Sequence, residues 1–245
     1  MTTFLVFQLF GPLTAWGDIA VGERRAVVER PSRSAVLGLL AGALGIERSD
    51  DDAHAELEGG LGLSVLATRS GTPMRDFHTA QVAKARRKQS FDTRRAELSE
   101  GDLSTIVSWR DYQTDAAAWV AAVVRDGSAL TAERLAAAME RPHYAPFLGR
   151  RSCPPALPFA PTVLEAEHAV GAFAAYHQAT AKSAIAAVHG PTDAMLYWDE
   201  DVPSGLDAER WLVRRDTVVS RRRRQFAERR EGVARVPANV FGEVG

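Results

Sequence analysis

At 245 residues and 46% hydrophobic, the chain is long enough to bury the core of one large or two small domains. It has no run of about 18 uncharged apolar residues, so no helical membrane span is expected. Its single cysteine, Cys153, excludes an internal disulfide and points to a reducing, cytoplasmic compartment.

A net charge of −1 argues against a polyanionic partner, but the charges are segregated along the chain. Six acids oppose only Arg48 between Glu47 and Glu58, and seven acids oppose only Lys182 between Ser152 and Ala208. Seven basic residues face two acids between Arg75 and Arg95, and ten arginines face four acids between Glu209 and Arg235. A neutral chain can therefore carry a positive surface of nucleic-acid size. Of the 30 basic residues only Lys84, Lys88 and Lys182 are lysines. Arginine suits RNA because it makes bidentate phosphate contacts and stacks on bases. A coding bias toward arginine and alanine gives the same composition, and the count alone does not choose between them.

In chain order, Phe4 to Phe10 is dense in β-formers and reads as a buried strand ending at Gly11-Pro12; without a basic region before it, it is not a signal peptide. Leu13 to Arg30 is an irregular connection carrying Trp16, Arg24, Arg25 and Arg30. Ser32 caps a helix in which Ala35, Leu39, Leu40, Ala43 and Leu44 recur at helical spacing. Gly38, Gly42 and Gly45 fit neither a phosphate loop nor a dinucleotide fingerprint, and close packing of helix on sheet accounts for them. Arg33, in the first turn of that helix, sets a guanidinium beside exposed N–H groups, an anion-binding arrangement. Ser49-Asp50-Asp51-Asp52 has the form of a capping box and opens an acidic helix ending near Gly59-Gly60. Leu61, Leu63, Val65 and Ala67 alternate, as in a strand with one buried face.

The basic segment that follows lacks a continuous apolar stripe and reads as a projecting insertion, brought home by a strand over Ile106 to Tyr112. Trp119 to Val124 is another strand, and Thr131 caps a helix with Leu135 and Met139 one turn apart. Next comes Tyr144-Ala145-Pro146-Phe147-Leu148-Gly149-Arg150-Arg151-Ser152-Cys153-Pro154, where prolines forbid a helix and Gly149 admits a sharp turn. The turn leaves the N–H groups of Arg150 and Arg151 facing an anion, a phosphate-binding design; a surface loop whose arginines pair with carboxylates is the competing reading. A closing strand is expected near Leu157 to Ala160. The order is that of an α+β, ferredoxin-like or RRM-like βαββαβ domain over residues 1–161 with a thumb inserted at about 75–112. Residues 162–245 form a small C-terminal region, with a helix over Leu164 to Ala187, a short strand at Met195 to Trp198 and a basic tail from Arg210 to Arg235. Taken alone, such a tail is a solvated charge run more often than a binding site.

Gly11-Pro12 with Trp16-Gly17, Pro31-Ser32-Arg33-Ser34 with Leu37-Gly38-Leu39-Leu40, Arg75-Asp76-Phe77-His78-Thr79, Trp109-Arg110-Asp111-Tyr112, Tyr144 with Leu148 to Pro154, and Arg224-Gln225-Phe226 with Arg229 form an ordered set. In that order they resemble the CasD family of the RAMP superfamily. The family supplies the subunit that holds the 5′ handle of crRNA in the type I-E CRISPR Cascade complex. Residues 162–208 match no motif. The resemblance implies an RNA-binding role without catalysis, in antiviral defence. It implies contacts to the backbone subunit CasC and the large subunit CasA, and target DNA reached only through the complex. It assigns RNA contacts to Arg33, Arg75, His78, Arg110, Tyr112, Tyr144, Phe147, Gly149, Arg150, Arg151 and Ser152. Lys84, Arg86, Arg87 and Lys88 would reach along the thumb to the RNA or the neighbouring subunit.

Trp16, Trp109 and Phe226 are expected in packing or interfaces before base stacking. Asp76 and Asp111 are expected to orient Arg75 and Arg110. Six histidines without a close pair and one cysteine give no case for metal, and no cofactor is expected. The alternative function is a metal-independent endoribonuclease of CRISPR repeat RNA, with His78, Tyr112 and Lys84 gathered at the thumb base as acid and base.

Overall fold

The computed structural model describes residues 1–17, 23–84, 90–184, 188 and 194–241. The first strand, β1 (Thr2–Phe10), is apolar on both sides, and the fold covers both. Leu5, Phe7 and Leu9 enter one core while Phe4 and Val6 enter another, the period-two alternation of a strand between two layers. Two short pieces follow, β2 (Leu13–Thr14) and β3 (Arg24–Arg25).

Helix α1 (Arg33–Leu44) starts where the Ser32 hydroxyl accepts the Ala35 N–H at 3.2 Å, and it stops at Gly45, left-handed with φ 77°. Helix α2 (Asp51–Gly60) is capped by Asp50, whose carboxylate accepts the Ala53 N–H, rather than by Ser49. Strand β4 (Leu61–Arg69) is buried along both faces, not one. The long hairpin of β5 (Thr72–Ala83) and β6 (Leu103–Thr114) then projects from the body, paired without a break from Thr72↔Thr114 to Ala83↔Leu103, with α3 (Arg94–Leu98) near its tip. Strands β2 and β3 pair with β6 at its base. Strand β7 (Ala117–Val124), helix α4 (Ala132–Glu140, capped by Thr131) and β8 (Thr162–Ala166) complete the ferredoxin-like unit, whose strands lie in the order β4-β7-β1-β8, all antiparallel.

The closing strand is thus Thr162–Ala166 and not Leu157 to Ala160, so the expected division at 161/162 falls just before the strand that completes the unit. The earlier segment does run beside β1, where the Gln8 N–H donates to Phe159 O at 2.9 Å. Pro155, Pro158 and Pro161, however, remove the donors that a ladder needs. The helix expected from Leu164 begins at Ala169, as α5 (Ala169–Thr180). It packs on the face opposite α1 and α4, where Phe173 and Tyr176 meet Trp119, and this covers the second face of β4.

The basic tail is not a solvated run. Strand β9 (Ala194–Asp199) and the hairpin of β10 (Arg210–Ser220) and β11 (Gln225–Val236) extend the central sheet to seven strands, in the order β10-β11-β9-β4-β7-β1-β8.

Candidate nucleic-acid interface

After α4 the chain is pinned to the end of α1, whose last carbonyls need partners: the His143 N–H donates to Ala43 O at 3.0 Å and the Tyr144 N–H to Gly42 O at 3.2 Å. Leu148 is fully buried and anchors the loop, with its N–H on Cys153 O at 2.7 Å and its carbonyl accepting the Ala15 N–H at 2.9 Å. Gly149 turns the chain at φ 90°, against the Ala15 carbonyl. Among the described residues no acceptor takes the N–H groups of Gly149, Arg150, Arg151 or Ser152.

A groove of about 1300 Å³ opens beside this loop. Its floor is the outer side of α1, where Gly38 and Gly42 carry no side chain. These glycines therefore shape a surface and do not serve helix-on-sheet packing. Tyr144 and Phe147, 45% and 40% exposed, stand on one wall with Arg151. The β10–β11 hairpin supplies another wall, with Arg221, Arg222 and Arg224 of the turn and Phe226 of β11, and Arg48 and His54 line the groove too, Arg48 donating to the Arg221 carbonyl at 3.3 Å. Five arginines against Glu47 make the groove positive, and its flat rings suit splayed bases.

A buried ionic lattice sets the second wall in place. Arg229 donates to Asp216 at 2.6 Å, Asp199 at 2.9 Å and Glu231 at 2.7 Å. Burial works against its charge, but the three carboxylates outweigh burial and raise its pKa. Burial pushes the Asp199 carboxyl up, opposed by Arg33 and Arg229. Asp216 is also penalised by burial, yet the Arg229 hydrogen bond and charge hold it below the usual range. Arg30 pairs with Glu231, and the Val218 N–H donates to Glu58 at 2.8 Å, tying β10 to α2.

Arg33 belongs to this lattice and not to an anion site. It is 4% exposed, pairs with Glu58 and Asp199, and donates to the carbonyls of Glu58 at 2.6 Å and Leu61 at 2.8 Å. Even its main-chain N–H is taken, by Asp216 at 2.8 Å.

The thumb residues divide by strand parity. In the β5–β6 register Arg75, Phe77, Trp109 and Asp111 share one face, and His78, Arg110 and Tyr112 share the other. Arg75 therefore does not act with His78; it pairs with Asp111 at 2.7 Å, and Arg24 pairs with the same carboxylate at 3.0 Å. These two hydrogen bonds hold Asp111 below its ordinary range, Arg75 being the larger cause. Asp111 thus orients Arg75 and Arg24 and not Arg110. Trp109 is 46% exposed, its ring 6.0 Å from that of Phe77, while Trp16 is buried.

Tyr112 is 8% exposed and part of the core, so it offers no stacking face. Arg150 lies over its ring at 4.7 Å and donates to Asp111 O at 3.0 Å and Arg25 O at 3.1 Å. This arginine clasps the loop to the thumb base instead of reaching out as a phosphate arm. Arg110 is half-buried on the same strand face, aligned with Arg25 of β3. Arg151 and Ser152 are exposed, and Arg151 alone of the arginines at 33, 110, 150 and 151 lines the groove.

Lys84 pairs with Asp102 at 2.8 Å, while Arg86, Arg87 and Lys88 lie outside the described residues. Six positions along β5 put Lys84 about 20 Å from His78, and Tyr112 is covered, so the expected acid–base group is not assembled. Among the described residues no cluster of three or more His, Cys, Asp or Glu could hold a metal ion. No helix is long and apolar enough to cross a membrane among those residues. Arg48, His54, Arg221, Arg222 and Arg224 were not singled out as site residues by the sequence pattern; the arginine run at 221–224 was the one available signal.

A family model described as CRISPR-associated protein (Cas_Cas5) matches residues 4–237. The CRISPR system Cascade subunit CasD of Escherichia coli (strain K12) is 33% identical over 162 residues, covering 63% of this chain and 68% of that protein. A solved structure described as a CRISPR RNA-guided surveillance complex has a chain that superposes with a TM-score of 0.64 at 24% identity, over 99% of this chain and 94% of the other. A crystal structure of a Cas protein superposes with a TM-score of 0.60 at 23% identity, over 98% of each chain.

Proposed function

From the premise that the chain belongs to the Cas5 family of CRISPR-associated proteins, we propose that it is a non-catalytic, RNA-binding subunit of a Cascade-type surveillance complex that holds the 5′ handle of crRNA. The observation that carries this reading is the groove lined by the Tyr144–Arg151 loop, the β10–β11 hairpin and the glycines of α1, which gathers exposed rings and arginines in one place. A short single strand is held in this way, phosphates on guanidiniums and bases against aromatics. Arg151 and the turn arginines take phosphates, Tyr144 and Phe147 take bases, and the Gly149 turn presents its N–H groups. His78 and Arg110 extend the contact onto one thumb face. The thumb, with Lys84 and the exposed Phe77 and Trp109, is left for the backbone subunit CasC, and CasA borders the complex through which target DNA is reached.

The test is fluorescence anisotropy of the full chain with the repeat RNA of the host's own CRISPR array against an unrelated RNA of equal length. The reading expects tighter binding of the repeat RNA, and no cleavage of it in EDTA. Equal affinity for both would reduce the chain to a general single-strand binder, and specific cuts would make it an enzyme.

A further inference from the structure

Where His54 and Arg221 line the groove, two polar atoms have no partner among the described residues. His54 projects from α2, is 7% exposed and lines the groove. Its ring hydrogen-bonds the main-chain carbonyl of Glu47, while Nε2 has no partner among the described residues. Arg221 approaches from the β10–β11 turn, with Nη2 on the Ser34 carbonyl and its carbonyl accepting from Arg48 Nε at 3.3 Å. Its own Nε is buried and equally unpartnered.

Burial, and then the Arg221 charge, keep His54 below the ordinary histidine range, with Asp50 and Asp51 opposing. Both effects favour the neutral ring, and a neutral ring that donates from Nδ1 to the Glu47 carbonyl leaves Nε2 as an acceptor. The two side chains thus hold one unmet acceptor and one unmet donor. Phosphate oxygens accept only, so they leave Nε2 unmet; a hydroxyl group meets both needs with a single atom.

Resting on the RNA-binding reading above, we propose that this part of the groove receives a ribose 2′-hydroxyl, which donates to His54 Nε2 and accepts from Arg221 Nε, and thereby selects RNA over DNA. Both nitrogens are covered in the free chain, so the Arg221 side chain swings off the Ser34 carbonyl as the strand enters. Gly38 leaves room for Arg221 in its resting place, since a Cβ there would stand 3.3 Å from Nη2.

The experiment uses the full chain and a set of repeat RNAs, each carrying one 2′-deoxynucleotide, with affinity read by anisotropy. One position, or two neighbouring ones, should lose about tenfold on deoxy substitution while the rest change little. In His54→Phe the RNA and that deoxy form should bind alike. His54→Gln, which keeps an acceptor, should retain part of the preference, and it serves in place of the phenylalanine variant if that one does not fold. Repeat RNA that binds tightly with no deoxy-sensitive position, or a position sensitive to base identity and not to the sugar, overturns the proposal and leaves the parent reading standing. Repeat RNA that does not bind at all overturns both.

Discussion

The carbonyl oxygen of Ala15 lies 2.0 Å from where a Cβ on Gly149 would stand. Together with φ 90° at Gly149, this contact decides the path of the loop that forms one wall of the groove. Gly149→Ala should cost about 2 kcal/mol or more, from left-handed strain plus displacement of the 15–16 backbone. Urea unfolding measures the loss, and RNA affinity should fall with it; an unchanged midpoint would mean that the loop tolerates a side chain there.

Arg33→Ala should be a folding defect. It strands Glu58 and Asp199 in a site where the arginine is 4% exposed, and breaking such a pair costs roughly 3–5 kcal/mol. Thermal melting of the variant should drop sharply. A normal melting temperature with weakened RNA binding would return Arg33 to the list of RNA contacts.

Arg151→Ala combined with Arg222→Ala should do the reverse. Both residues are exposed and line the groove, so stability should hold while affinity falls. Each phosphate contact removed should also flatten the plot of log K against log salt by about 0.7, the single-strand value. Titrations at four salt concentrations test this, and an unchanged slope would remove these residues from the interface.

Acid should loosen the α5 layer. His177 is 1% exposed among Trp119, Tyr176 and Phe241, with neither ring nitrogen partnered among the described residues, and burial lowers its pKa from 6.5. The unfolded chain therefore binds the proton more readily, so stability is full above about pH 6.5 and declines as the pH falls below it. His177→Phe, which cannot titrate, should flatten that part of the stability profile measured by denaturant unfolding. Identical acid profiles for variant and parent would assign the loss elsewhere.

What the sequence made legible was local. The apolar run of β1, the Ser32 and Thr131 caps and the thumb as an insertion all follow from neighbours in the chain. The fates of the arginines do not. Arg33 meets Glu58, Asp199 and Asp216, up to 183 residues away, and nothing in its own segment distinguishes it from the exposed Arg151. The C-terminal hairpin was hidden for a second reason. Its turn runs through Arg221 to Arg224, with Arg224 at φ 55° where glycine or asparagine would have advertised a hairpin. A hairpin whose Arg229 pairs with Asp216 and with Asp199 of β9, and whose Val218 N–H meets Glu58 of α2, reads as a basic tail until those partners are placed.

The central claim, that RNA lies between the Tyr144–Arg151 loop and the β10–β11 turn, is tested most directly by photocrosslinking. Repeat RNA bearing 4-thiouridine would be irradiated with the full chain and the adducts mapped by mass spectrometry. Adducts at Tyr144, Phe147 and Phe226 are expected, on both walls of one groove. Adducts confined to Phe77 and Trp109 on the opposite thumb face, with none in the groove, would contradict it.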